Sequence, residues 1–292
     1  MQEHDRWYKR GEELLSEIRL SRPGPDTAML WFLGQCGFVI KIGGTVLYID
    51  VILNDLLDDK GQSRRRYPPP FPPGAAQAVD YYLCTHDHID HLNPETIVPL
   101  SKANPLAKFI VPAPVRNVLL DAGIPEERIL AAKPGAVLHA ESGDAEIIPL
   151  AAAHTDYSYD ETGASFFLCY IIKGSGCTVF HAGDTIVRPE LIETLKRNGP
   201  LDIAILPING SDWERTAKGI IGNMGVCDAV KLARAVNADM TIPVHYDMMP
   251  VNGENPALFA DCMYRECPSK KFHIFALGEA FMYSKKGGGS IS

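Results

Sequence analysis

The chain contains the stretch Thr85-His86-Asp87-His88-Ile89-Asp90-His91, in which three histidines and two aspartates follow a short apolar run. The apolar run predicts a buried strand, and the polar stretch predicts a loop at its end. His86 and His88 are two positions apart, so in extended backbone both rings point the same way and can bind one ion. Asp90 and His91 lie past the turn and can face a second ion. Imidazole and carboxylate donors suit zinc, manganese or iron(II), so the stretch predicts a metal site.

Imidazole and carboxylate side chains also follow three later predicted strands. They are His154 after 146–150, Asp184 after 177–181 and His245 after 240–244. A solvated loop is the alternative for 85–91, but the chain has only nine histidines and three fall within six positions there. Taken alone, His154 would more often be structural, and Asp184 could cap a predicted helix at 188–197. His181 lies within its strand pattern, which favours a core or supporting role over metal binding.

Composition bounds the class of protein. A chain of 292 residues with 46% hydrophobic content can bury a large core, and we favour one α/β domain over two packed halves. The net charge of -8 gives no basic surface for nucleic acid. The one basic cluster, at 64–66, is either a solvated loop or a contact for a substrate phosphate.

Cysteine usage and the N-terminal sequence indicate the compartment. The seven cysteines include no CxxC pair, which favours reduced thiols and a cytoplasmic location. Residues 1–20 carry charges throughout, and no run of 18 apolar residues occurs. The sequence therefore predicts neither export nor a membrane span.

The first quarter of the chain predicts one amphipathic helix and three strands. Apolar side chains at helical spacing place the helix within 5–20. The strands are expected at 29–33, 38–42 and 46–49. Asp50 ends the third strand, either as a hydrogen-bond partner that orients metal-binding histidines or as a strand-end cap. Residues 54–74, charged and then proline-rich, predict a long loop at the rim of a substrate pocket.

The rest of the chain predicts alternating helices and strands. Helices are expected at 94–100, 114–122 and 226–235. Asp247 follows His245 by two positions and is interpreted as a group that orients it. The final strands, at 271–276 and 280–283, are expected to close a second sheet, and His273 is expected to be structural.

Five segments carry a resemblance to a known family. They are 31–38 (WFLGQCGF), 85–91, 179–184 (VFHAGD), 223–224 (NM) and 242–245 (IPVH). The His-x-His-x-Asp-His pattern resembles the signature of the metallo-β-lactamase fold superfamily of hydrolases. The longer segments resemble its L-ascorbate 6-phosphate lactonase group, in order from about residue 7 to 283. The resemblance implies an α/β (α+β) fold, a four-layer αββα sandwich of two facing mixed sheets.

We divide the chain into an N-terminal helical extension (1–25), which ends at the proline and glycine run 23–25, a hydrolase domain (26–284) and a flexible tail (285–292). The resemblance also implies roles for individual residues. It implies one or two divalent ions, zinc, manganese or iron. Asp90 and Asp184 are the implied catalytic residues, and Asn223 and Met224 are implied at the pocket floor or, alternatively, at a helix entry. The implied metal ligands are His86, His88 and His154 for one ion, and Asp90, His91 and His245 for another, with Asp184 between them.

The expected activity is hydrolysis by a metal-activated water. The substrate is expected to be a small anionic lactone or ester, with an L-ascorbate 6-phosphate lactone as one example. Two alternatives remain open, a phosphodiesterase of the same superfamily and a non-catalytic metal-binding or sensor protein. We expect no nucleic acid partner, no membrane association, and assembly into a homo-oligomer.

Overall fold

The computed structural model describes residues 6–142 and 145–285. The fold contains two seven-stranded sheets. The strands of the first sheet are β1 (Thr27–Phe32), β2 (Phe38–Ile42), β3 (Thr45–Ile49), β4 (Tyr81–Leu83), β5 (Lys108–Pro112), β6 (Ile129–Ala132) and β14 (Ala280–Ser284). Their order across the sheet is β14-β1-β2-β3-β4-β5-β6. β14, β1, β2 and β3 pair antiparallel, and β3 to β6 pair parallel. β2 and β3 are buried along their whole length, including Lys41 of β2 and Thr45 of β3, and the remaining residues of both strands are apolar.

The second sheet has the order β13-β12-β11-β10-β9-β8-β7. Its strands are β7 (Leu138–His139), β8 (Ala145–Ala151), β9 (Leu168–Gly174), β10 (Cys177–His181), β11 (Ile203–Pro207), β12 (Met240–Val244) and β13 (Lys271–Phe272). β7 to β10 pair antiparallel, and β10 to β13 pair parallel. Both sheets are therefore mixed.

Helices cover the outer faces of the two sheets. The α-helices are α1 (Gly11–Leu20), α2 (Pro94–Ala103), α3 (Arg116–Asp121), α4 (Pro189–Asn198), α5 (Trp213–Ala217), α6 (Val226–Ala235) and α7 (Pro256–Glu266), and 3₁₀ turns lie at Pro73–Ala75, Ala113–Val115 and Glu126–Arg128. α1, α2 and α3 bury apolar residues against the first sheet, and α4, α6 and α7 against the second. The core between the sheets joins residues of both, such as Phe38 and Tyr170. This is the expected four-layer αββα sandwich.

The last strand was assigned to the wrong sheet by the sequence pattern. β14 pairs antiparallel with β1 in the first sheet, with Leu30 opposite Phe281, and does not close the second. Of the predicted strand 271–276, only Lys271–Phe272 forms a strand of the second sheet. The His273 ring lies 4.6 Å from the Phe275 ring and 4.7 Å from the Phe281 ring of β14. Alternation of apolar residues predicts a strand, but it carries no information about the strand beside it.

Two predicted helices are shorter than expected. The N-terminal helix begins at Gly11, and Trp7 lies before it, where the indole N–H donates to the Pro68 carbonyl at 2.9 Å. The helix expected at 114–122 is a 3₁₀ turn followed by Arg116–Asp121. Of the expected flexible tail, residues 286–292 lie outside the described part of the chain. None of the helices within 6–142 and 145–285 has the length and apolar character needed to cross a bilayer.

We propose that residues 26–284 form the hydrolase domain and that residues 1–25 are an N-terminal extension, of which helix α1 lies on the domain. Helix α1 buries Leu14, Leu15 and Ile18 in the same cluster as Trp31 of β1. Lys285, the last described residue, is held against the start of the domain, because its backbone N–H donates to the Asp26 carbonyl at 2.9 Å. These contacts support a single folded unit.

Candidate metal centre

The site lies at one edge of the sandwich, where parallel strands of both sheets end. β3 and β4 of the first sheet are parallel, as are β10, β11 and β12 of the second. β8 runs in the same direction as β10, because each is antiparallel to β9. The carboxyl ends of these strands therefore meet, which explains why residues far apart in sequence converge. The Tyr170 hydroxyl fixes the two sheets beside the site by donating to the Cys84 carbonyl at 2.8 Å.

The first of two side-chain groups contains His86, His88, His154 and Asp184, and one donor atom of each lies within 4.8 Å of the others. His86 Nε2 is 3.0 Å from His88 Nδ1, and His154 Nε2 is 3.8 Å from Asp184 Oδ2. His86 follows β4 and His154 follows β8. Burial, with His91 nearby, lowers the pKa of His86 well below its usual value, so the ring is unprotonated and its lone pair is available.

The second group contains His91, His245 and Asp184, together with Cys36, which the sequence analysis did not include. Asp90 joins them, because its Oδ2 is 3.7 Å from His91 Nε2 and 3.6 Å from His245 Nε2. The position of Cys36 after a predicted strand could have identified it as a site residue. It follows β1, which is parallel to β3 because both are antiparallel to β2.

Asp184 lies between the two groups. Its Oδ1 is 3.3 Å from His91 Nε2, and its Oδ2 is 3.3 Å from His245 Nε2. The same Oδ2 faces His154 of the first group. The alternative role as a helix cap is wrong, since α4 begins at Pro189 with Arg188 at the cap position. The structure thus brings all seven predicted site residues together.

The residues of both groups fit divalent cations. The donor atoms of the second group are separated by 3.3 to 3.7 Å, as expected for ligands bonded to one ion at about 2.1 Å. His91 Nε2 is buried and has no hydrogen-bond partner among the described residues. Burial lowers the pKa of His91, but Asp184, Asp50 and Asp90 outweigh it and raise that pKa to about 10. The pocket therefore attracts positive charge, which a divalent ion would supply.

Asp50 holds the loop that carries the histidines. Its carboxylate accepts hydrogen bonds from the Thr85 backbone N–H at 2.8 Å and from the Thr85 hydroxyl at 2.7 Å. It also lies 2.8 Å from His91 Nδ1, so it sets the direction of that ring. The predicted role as a hydrogen-bond partner of a histidine in the site is confirmed.

We predict that Asp50→Asn weakens metal binding by about 10- to 100-fold, because the ring of His91 loses a charged acceptor that orients it. The measurement is competition between the protein and a chromophoric chelator. Asp80→Asn is the control, since Asp80 accepts from the Val46 backbone N–H at 2.8 Å elsewhere on the same sheet. Equal metal affinities in Asp50→Asn and the unmodified chain would refute this role.

Two other polar residues support the site from outside it. His181 Nε2 donates to the Cys36 carbonyl at 2.8 Å, and its Nδ1 accepts from the Gly183 N–H at 3.2 Å. It is a supporting residue, as predicted. Asp247 was expected to orient His245, but it does not contact the His245 ring directly. It accepts from the Gln35 backbone N–H at 3.1 Å, while the Gln35 carbonyl accepts from the His245 N–H at 2.9 Å.

A cavity of about 630 Å³ opens over both groups, and His88, Asp90, His154, Asp184 and His245 line its base. Its walls come from Asp58, 62–64, 219–221 and 249–252. The charged half of the predicted rim loop therefore lines the cavity. The proline-rich half does not, because Tyr67 and Phe71 are buried in the core.

Asn223 and Met224 do not form the pocket floor. Both are buried, and the Asn223 amide donates to Asn209 Oδ1 at 3.1 Å. They precede α6, so the helix-entry interpretation is the correct one.

The arginines of the cluster at 64–66 have different surroundings. Arg65 is buried and donates to the Ile52 and Asn54 carbonyls, whereas Arg64 is exposed and lines the cavity.

Comparison with known proteins places the chain in a family. Residues 48–246 match the family described as "Beta-lactamase superfamily domain", and the chain belongs to this superfamily. It is 27% identical over 273 residues to proteins of Shigella boydii and Escherichia coli described as "Probable L-ascorbate-6-phosphate lactonase UlaG", covering 82% of this chain and 75% of theirs.

Solved structures show the same fold. Igni18, described as a metallo hydrolase of Ignicoccus hospitalis, aligns with a TM-score of 0.66 at 19% identity over 89% of this chain and 100% of its own. An isothiocyanate hydrolase from Delia radicum gut bacteria aligns with a TM-score of 0.68 at 17% identity over 88% and 100%. Superfamily membership, together with the two groups of imidazole and carboxylate donors, supports a metal-dependent hydrolase.

Proposed function

We propose that this protein hydrolyses a small anionic lactone or ester with the help of divalent ions held at the base of the cavity. The observation that carries the proposal is the position of Asp184 between two groups of imidazole and carboxylate donors, five of which line one cavity. The resemblance to proteins described as probable lactonases supports the choice of substrate class.

We assign His86, His88 and His154 to one ion, Asp90, His91 and His245 to another, and Asp184 to both. A divalent ion at either position would supply a positive charge that polarises a carbonyl oxygen and lowers the pKa of water. The nature of the ion, zinc, manganese or iron, stays a prediction.

Two carboxylates of the chain, Asp90 and Asp184, have separate roles in the proposed reaction. The Asp90 side chain is 15% exposed, lines the cavity and receives a hydrogen bond from the Gln35 amide at 2.7 Å. When the second group holds no ion, Asp90 is therefore placed to accept a proton from water as a general base. Burial raises the pKa of Asp184, but His245 and His91 outweigh it and hold that pKa well below its usual range, so its carboxylate stays ionised.

Arg64 is the residue that we propose to contact the substrate anion. It lines the cavity beside Asp58, and its exposed guanidinium has no hydrogen-bond or ion-pair partner among the described residues. Its neighbour Arg66 is also exposed but donates to the Pro250 carbonyl at 2.9 Å. The two arginines therefore form a matched pair for an experiment.

We predict that Arg64→Ala raises KM for an anionic lactone by about 5- to 30-fold and leaves kcat within about twofold, because a charge-assisted hydrogen bond to the substrate is lost. Steady-state kinetics on a phosphorylated lactone and its unphosphorylated analogue give the measurement. KM for the neutral analogue should not change. An equal rise in the control Arg66→Ala, or in both substrates, would contradict the contact.

The experiment that tests the proposed function combines metal analysis with a substrate panel. Protein purified without added metal should contain one or two ions per chain, and chelation should abolish turnover that metal then restores. The panel should include L-ascorbate 6-phosphate lactone, simple esters and bis-p-nitrophenyl phosphate. Preferential hydrolysis of the phosphodiester would favour the phosphodiesterase, and ion binding without turnover of any substrate would favour a sensor.

Cellular location and assembly stay predictions. All seven cysteines are free thiols and six of them are buried, which is consistent with the expected cytoplasmic location. Light scattering on the purified protein would measure whether it forms the expected homo-oligomer.

A further inference from the structure

Gln35 lies in the tight turn between β1 and β2 and has an uncommon backbone conformation. The turn is closed by a hydrogen bond from the Gly37 N–H to the Gly34 carbonyl at 2.8 Å. Gln35 has a φ of 56°, in the left-handed region that residues other than glycine rarely adopt. Such strained residues cluster at functional sites.

The backbone of Gln35 is fixed on both sides by the candidate site. Its N–H donates to Asp247 Oδ1, and its carbonyl accepts from the His245 N–H. The residue is fully buried. Its side chain points into the second group.

The side-chain amide reaches two of the proposed ligands at once. Gln35 Nε2 donates to Asp90 Oδ2 at 2.7 Å and lies 3.1 Å from His245 Nε2. At the other end of the amide, Oε1 is buried without a hydrogen-bond partner among the described residues. The contact to the second group is therefore the polar anchor of this side chain.

These contacts conflict with cation binding at the same atoms. The lone pair of His245 Nε2 can accept a hydrogen bond or bind an ion, but not both. An amide N–H₂ group that faces these atoms also repels a cation. Among the described residues, the Gln35 amide makes no hydrogen bond to His86, His88 or His154 of the first group, so it competes only at the second group.

We propose that Gln35 is a positioning residue that controls occupancy of the second group. Its amide competes with an ion for His245 and Asp90, so the second ion binds more weakly than the first. While the second group is empty, the amide holds the Asp90 carboxylate at the cavity floor. This inference rests on the proposed function for the identity of the ligands.

The test is calorimetric titration of the chelator-treated full chain with Zn²⁺ and, separately, with Mn²⁺. The unmodified protein should show one tight ion and one weaker ion. Gln35→Ala should bind the second ion about tenfold more tightly and leave the first unchanged, since one hydrogen bond to a charged group no longer opposes binding. Gln35→Glu keeps the shape and replaces the N–H₂ group with an oxygen, so it should also tighten the second ion.

Two control variants test whether the change in affinity for the second ion comes from the contact between Gln35 and His245. Gln77→Ala, at an exposed position that does not line the cavity, should leave both affinities unchanged. Adding His245→Ala to Gln35→Ala should remove the gain, because the ion would lose the ligand that Gln35 blocked.

The outcomes separate this inference from the proposed function. If both Gln35 variants weaken the second ion, the amide assists the ion, and competition is refuted. If both variants leave the two affinities unchanged, Gln35 has no part in binding. If the unmodified chain binds neither Zn²⁺ nor Mn²⁺, the proposed metal-dependent function fails first.

Discussion

Asp184→Asn is expected to lower kcat by about a thousandfold or more and to reduce the metal content of the protein. Asparagine keeps the shape of the side chain but removes the negative charge that faces His91, His154 and His245. Only one of its two terminal atoms is an acceptor, so its N–H₂ group must face one of the two ion positions. The loss of several kcal/mol of charge stabilisation corresponds to this reduction in rate.

The measurement pairs elemental analysis with turnover on the substrate that the panel identifies. Asp202→Asn is a matched control, because Asp202 is also a buried carboxylate but accepts from the Thr178 backbone N–H at 2.8 Å, outside the metal centre. It should lower stability and leave metal content unchanged. Full metal content with normal kcat in Asp184→Asn would show that Asp184 holds no ion.

Gly183→Ala is expected to destabilise the fold strongly and to disturb the metal centre. Gly183 has a φ of 55°, and an added Cβ would lie 2.6 to 2.8 Å from three side-chain atoms of Thr85. Thr85 donates to Asp50 and lies 3.0 Å from His86 Nδ1, so any shift would displace the histidine loop. Backbone strain and overpacking together should lower the free energy of unfolding by about 2–4 kcal/mol.

Urea denaturation of the metal-free protein measures this effect, followed by metal titration of the folded variant. Gly163→Ala separates the two causes, because Gly163 has a φ of 78° and nothing lies within 4 Å of an added Cβ. It should show the strain alone, about 1 kcal/mol. If the two variants were equally stable, the contact with Thr85 would not limit substitution at Gly183.

Predictions from the sequence were most successful where the signal is local. Strands such as Cys177–His181 and Met240–Val244 have the bounds that their apolar runs indicate, and each is followed by a predicted site residue. Helix α6 also has its predicted bounds, because its apolar positions repeat with the helical period. Helices α5 and α7 were not predicted.

The arginine cluster shows a limit of prediction from local sequence. Arg64, Arg65 and Arg66 are consecutive and chemically identical, but one lines the cavity, one is buried among backbone carbonyls, and one contacts Pro250. Nothing within the cluster distinguishes them. The path of the loop over the two sheets decides which side chain reaches which partner.

By itself, the sequence determined the metal-binding character of this protein, because a few histidines and aspartates placed directly after apolar strands define donor type and position locally. Tertiary structure alone decided that β14 joins the first sheet and that the Gln35 amide reaches Asp90 and His245. Gln35 and Asp90 are 55 residues apart, and Gln35 and His245 are 210 apart. Contacts over such separations depend on how the two sheets pack together, which no local pattern specifies.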